Sequence, residues 1–165
     1  MISEKIFIDP ILAFTTLLNE KVEKVQENQK LSCKLWAGYG KLFRLKVDLK
    51  EDSLHKNTKC LYFAHKYVDS PLDVNEVGHI RKIRSYINEE LFYRCISPLI
   101  KKCGLNTGIP NAISSESYAN GKNQIISIVM SDLSIYYPIE SPFCTNKSQT
   151  IAACKVYFLV YYNNS

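Results

Sequence analysis

No two of the six cysteines, at positions 33, 60, 95, 103, 144 and 154, are spaced C-x-x-C, and no cysteine–histidine cluster has the spacing of a zinc site. That argues against small metal-stapled folds and reads the six as reduced thiols rather than a disulfide framework. Charge of one sign is never gathered into a block: 21 lysines and arginines against 16 acids leave a net +5 scattered along the chain. Such a balance admits a phosphate-bearing partner without demanding one. With no aromatic-and-basic strand motif in view, it also argues against nucleic acid. No run approaches the roughly 20 apolar residues of a membrane helix. The opening stretch MISEKIFIDPILAF carries Glu4 and Asp9 where a signal peptide would need its apolar core. These absences give the expectation of a cytoplasmic protein with no membrane contact.

What is present suits one folded domain: 165 residues, 46% apolar and 22% charged. Asp9-Pro10 is a helix start, an N-cap acid followed by proline at the first helical position. Ile11, Leu12, Leu17, Leu18, Val22 and Val25 then recur near helical spacing and predict a helix over 10–26. From Leu31 the pattern changes to strands. Runs at 31–37 and 41–49 flank Gly38-Tyr39-Gly40, and the polar KEDSLHKNTK leads to a third strand around CLYFAHKYV. A loop at 69–78 precedes a second long helix, 80–102, whose expected buried positions are Ile80, Ile83, Ile87, Leu91 and Cys95, with Tyr86, Phe92 and Tyr93 widening the face. Gly104 and Gly108-Ile109-Pro110 close it. A strand near 111–118, an Asn120-Gly121 turn and the strand QIISIVM at 124–130 form a hairpin. Residues 138–147 read as a loop and SQTIAACK as a short helix. The fold class expected is therefore α+β: an antiparallel five-stranded sheet, helices packed on one side, an N-terminal helix and a short C-terminal helix.

Three features on this map bear on chemistry. In the third strand, alternation puts Lys66 on one face with Cys60, Tyr62 and Ala64, a face that reads as half buried. An ammonium there either reaches out to solvent along its own stem or has an anion beside it. The Gly38-Tyr39-Gly40 turn is either an ordinary hairpin turn or a place where backbone approaches a ligand. Glu89 and Glu90, in SYINEELFY, stand mid-helix where at least one must border the buried face.

The ordered set, LWAGYGKLFRLKV, FAHKYV, HIRKIRSYINEELFYRCISPLI, GIPNAI and IVMSDLS, resembles the N-terminal lobe of the choline/aminoglycoside/ecdysteroid kinase-like family of small-molecule phosphotransferases. There a glycine-rich hairpin covers the nucleotide phosphates, a lysine on the third strand binds them and a glutamate on the next helix holds that lysine. The resemblance implies that the turn of Gly38, Tyr39, Gly40 and Lys41 covers the phosphates and that Lys66 binds them. Through the helical pattern SYxxExxFY it puts Glu89 in the partner role and leaves Glu90 as a solvated neighbour. VMSDLS is similar to the family's last strand and hinge, whose backbone at Ser131, Asp132 and Leu133 would receive the base of ATP. The organisation implied is an N-terminal helical segment at 1–30, the lobe at 31–137 and the start of a second lobe at 138–165.

The family's second lobe supplies a catalytic aspartate, an asparagine and a metal-binding aspartate. None of the three histidines, at 55, 65 and 79, starts an H-x-D pattern, and Glu140 is the one acid after Asp132. Residues 148–154 resemble the helix after the family's hinge, whereas VYFLVYYNNS departs from it. The expectation is a nucleotide-binding lobe without phosphotransferase activity as this chain, ATP held weakly or not at all and magnesium required only beside a complete second lobe. The competing expectation is a non-catalytic module that uses the lobe surface to bind a protein partner or itself.

Overall fold

A computed structural model of the protein describes residues 2–29, 33–35, 38–51, 59–104 and 109–133. The expected loop at 138–147, the SQTIAACK helix and the VYFLVYYNNS segment lie outside the described residues, as does most of the polar turn after residue 50. Met1–Leu105 and Ile109–Asp132 form one compact unit, which holds every helix and strand of the described residues, and Leu133 belongs to a second unit.

Two short helices, α1 (Ile2–Ile8) and α2 (Pro10–Leu18), come first. The Asp9 carboxylate caps α2 by accepting from the Leu12 N–H at 3.0 Å, with Pro10 just inside. Strands β1 (Val22–Glu27), β2 (Cys33–Lys34), β3 (Gly40–Leu49) and β4 (Cys60–Pro71) follow, then α3 (Val77–Leu91). A π-helical turn, Phe92–Ile96, joins α3 to α4 (Ser97–Lys102), and the hairpin of β5 (Ala112–Asn120) and β6 (Asn123–Ser131) completes the unit. Pro98 accounts for the wide turn: it has no N–H to donate, and its ring would meet the carbonyl four residues earlier. The Ser97 N–H accordingly reaches back five residues to the Phe92 carbonyl.

The fold is α+β with an antiparallel sheet of six strands, not five. The order is β1-β3-β4-β6-β5, with β2 also on β3. The extra strand is the second half of the helix expected over 10–26. Asn19 ends α2 in the left-handed conformation (φ 52°), its N–H returning to the Thr15 carbonyl. Beyond it, Val22 pairs with Leu49 and Val25 with Val47, with a register shift between Val22 and Lys24. That bulge explains the misreading. It turns a three-residue spacing, which looks helical, into two valines on one face of a strand.

Helices cover both faces of the sheet rather than one. On the first face α1 and α2 enclose a core of Ile6, Ala13, Phe14, Val22, Leu45, Val47, Leu49, Phe63 and Val129. On the second, α3 packs over Ala64, Val68, Ile126, Ile128 and Met130 through Tyr86, Ile83 and Ile87. Strand β6 is therefore buried on both sides from Ile125 to Met130, which is why QIISIVM reads as a nearly unbroken apolar run. Among the described residues no helix is long and apolar enough to cross a membrane.

Helix α3 lies turned by about one residue from the expected face. The buried positions from Val77 to Lys102 are His79, Tyr86, Glu90, Ser97 and Ile100, while Ile80 and Leu91 are exposed, as is Cys95. Three of the five inward residues, His79, Glu90 and Ser97, are polar. Ile83 and Ile87 of the expected stripe do pack against the sheet, but His79 and Glu90 have partners waiting on the sheet side, so a count of apolar residues alone misses them.

Candidate functional site

Lys66 and Glu89 meet on the α3 face of the sheet. The Lys66 ammonium donates to Glu89 Oε2, with the lysine side chain 15% exposed and the carboxylate 34%. The same ammonium stands 4.9 Å from the centre of the Tyr86 ring, which adds a cation–π contact. The lysine therefore has an anion beside it and does not reach for water alone. Burial, and then the Glu89 charge, push the Tyr86 and Tyr93 phenols above their ordinary value, so both stay protonated and neutral beside the pair. The Tyr86 hydroxyl is buried without a hydrogen-bond partner among the described residues.

Strand alternation delivers further charges to this face. Leu42 lies opposite Lys66 and Arg44 opposite Ala64, so Arg44 shares the lysine's side of the sheet. Arg44 pairs with the buried carboxylate of Asp132, reaching across β4 to the end of β6. Two ion pairs of this face, Lys66–Glu89 and Arg44–Asp132, thus stand to either side of Ala64.

The glycine turn sits about two residues farther along the strands, where Gly40 lies opposite Val68. Gly38 has φ +82°, open to glycine at no cost. Gly40 is needed for a different reason. A Cβ there would run into the Tyr67 carbonyl oxygen, with Val68 Cα at 3.0 Å, so this glycine lets β3 lie close against β4. Tyr39 is anchored: its carbonyl accepts from the Asp69 N–H at 2.8 Å, and its hydroxyl is 2.9 Å from His79 Nδ1. Because His79 Nε2 faces the Pro71 carbonyl at 2.9 Å, that nitrogen carries the proton and Nδ1 accepts from Tyr39. The Lys82 ammonium, 5.5 Å from the Tyr39 ring centre, completes the tie between the turn and the start of α3.

Other predicted positions stand apart or are already engaged. Lys41 is exposed, opposite Tyr67, on the face of β3 that Phe43 and Leu45 share, away from Lys66. Ser131 is tied to Asn111 twice, donating its N–H to the Asn111 carbonyl at 2.8 Å and accepting the Asn111 N–H on Oγ at 2.8 Å. The Asp132 N–H donates to the Tyr62 carbonyl at 3.0 Å. Leu133 follows it in the chain.

Glu90 is not the solvated neighbour expected. It is 1% exposed; its Oε1 accepts from Arg94 Nε at 2.7 Å and lies 3.3 Å from Ser115 Oγ. Sequence reasoning also passed over Arg44, Tyr86 and His79. Arg44 carried a usable signal, since it keeps period-two phase with Leu42 on the face opposite Leu45 and Val47. Among the described residues no group of three histidine, cysteine or acidic side chains could hold a metal ion. Comparison with known proteins finds no family model, no curated protein and no solved structure that matches the chain.

Proposed function

We propose that the α3 face of the sheet binds the phosphates of a nucleotide, and that the chain is the nucleotide-binding lobe of a choline/aminoglycoside/ecdysteroid-type kinase-like phosphotransferase. The observation that carries this reading is the Lys66–Glu89 pair, on the strand and helix that follow a glycine turn. A lysine held by a carboxylate in a partly wet site is positioned, charged and still able to donate to phosphate oxygens. Arg44 adds a second cation one strand away. The glycine turn, tied down through Tyr39, supplies backbone close to the same face. Because the Ser131 and Asp132 N–H groups donate within the fold, a base arriving at the end of β6 would not find those two donors open to it. Lys41, on the other face, drops out of the phosphate set.

Binding, rather than phosphate transfer, is the property to test in this chain. Titration with ATP and magnesium, followed by calorimetry or by a fluorescent nucleotide, should give weak saturable binding. Lys66→Met should abolish it, Glu89→Gln should weaken it and Lys41→Met should leave it unchanged. Equal binding by the wild-type chain and Lys66→Met would refute the proposal, as would no binding at millimolar nucleotide.

A further inference from the structure

Glu90 is a buried carboxylate that the nucleotide reading does not use. It is 1% exposed, its Oε2 has no hydrogen-bond partner among the described residues, and Arg94, which holds Oε1, is itself largely in solvent. Burying a carboxylate with a bare oxygen costs stability, so an apolar residue of the same size would suit the packing better. What Glu90 does offer, through its main-chain carbonyl and its carboxylate together, is an attachment to the sheet. Ser115 Oγ lies 3.1 Å from the Glu90 main-chain carbonyl and 3.3 Å from its Oε1, at the turn where α3 widens into the π-helical segment.

The sheet register places this attachment. Ile128 lies opposite Lys66 on one side and opposite Ser115 on the other, so Lys66 and Ser115 occupy one row of the sheet. Two strand spacings separate them, about 9.5 Å. Glu89 and Glu90, consecutive on α3 and about 100° apart around its axis, straddle that row. Glu89 meets Lys66 on β4 and Glu90 meets Ser115 on β5. A helix held at both points cannot roll. A roll of about 20° would carry a carboxylate some 6 Å from the axis through about 2 Å, enough to part an ion pair.

We infer that Glu90, with Ser115, is a positioning residue that sets the roll of α3 and thereby holds Glu89 against Lys66. The inference deepens the nucleotide reading by naming what orients its lysine, but its test needs no nucleotide. The probe is the rate at which a neutral acylating reagent modifies Lys66, followed by peptide mass spectrometry, with Glu89→Gln marking the unpaired lysine. Ser115→Ala removes one hydroxyl, and Glu90→Met replaces the carboxylate with an apolar side chain of similar length. Both should raise Lys66 reactivity toward the Glu89→Gln value, by up to about fivefold, the factor that a partly exposed ion pair corresponds to. Neither should lower the melting temperature in proportion, and Glu90→Gln, which keeps an acceptor for Ser115 and Arg94, should stay near wild type. Unchanged Lys66 reactivity in folded Ser115→Ala and Glu90→Met would overturn the inference. If Glu90→Met does not fold, Ser115→Ala alone decides. Raised reactivity in a chain that binds no nucleotide would leave the positioning role standing and remove the nucleotide reading.

Discussion

His65 and Lys66 are neighbours on one strand, yet they live in opposite worlds. His65 points to the face closed by α1 and α2, is fully buried, and lies among the rings of Phe7, Phe43 and Tyr67 at 5.4 to 6.0 Å. Its Nε2 is 2.9 Å from Ser127 Oγ, its Nδ1 has no partner among the described residues, and burial pushes its pKa from the ordinary 6.5 down to about 4. Lys66 points to the face under α3, where Glu89 pairs with it and both groups keep some contact with water. The difference shows how one sheet can divide its labour. The first face keeps its histidine neutral and packs hydrocarbon; the second sets Lys66 against Glu89 and Arg44 against Asp132. The proposed nucleotide site is on the second.

The strongest way to break this contrast is to open the first face. Phe14 is fully buried, with its ring 5.3 Å from that of Phe63. Phe14→Ala should cost about 3–5 kcal/mol in chemical denaturation. A loss below about 1 kcal/mol would mean that this face is not the closed core it is taken for.

Acid should attack the same face next. The folded His65 resists protonation while the unfolded chain accepts it, so stability is fully present above pH 6.5 and falls as the pH drops toward 4. The expected loss is on the order of 3 kcal/mol across that window, from a shift of roughly two and a half pH units. Unfolding free energies measured at stepped pH check the slope, and His65→Gln should flatten it. A profile equally steep in that variant would assign the acid sensitivity to groups other than His65.

The smallest effect belongs to the paired face. Because Glu89 is about one-third exposed, solvent takes up most of what the pair would lose. Lys66→Met should change stability by less than about 1 kcal/mol while removing nucleotide binding. Unfolding of that variant under native conditions would make the lysine structural, and the division between the faces would collapse.

Local periodicity carried much of the sheet into view. The β4 and β6 runs, the Asn120-Gly121 hairpin and the long helix through residues 80–102 were legible because each rests on side-chain spacing or turn chemistry within a few residues. Spacing alone left Glu89 and Glu90 open; it was the resemblance, through SYxxExxFY, that implied Glu89 as the partner of Lys66. The short helix at Ile2–Ile8 and the strand at Val22–Glu27 were not, the latter because a bulge gave a strand the three-residue spacing of a helix.

By itself, then, the sequence determined the α+β class, the positions of the principal strands and of the long helix, and the face of β4 on which Lys66 lies. Tertiary structure decided which stripe of α3 turns inward, that Glu90 is buried against Ser115 while Glu89 meets Lys66, and that Arg44 bridges to Asp132 across 88 positions. The physical reason is that period and capping depend on residues a few places apart. A buried polar group, by contrast, is tolerated only where a partner from a distant strand comes to meet it, and the chain alone does not say which strand that will be.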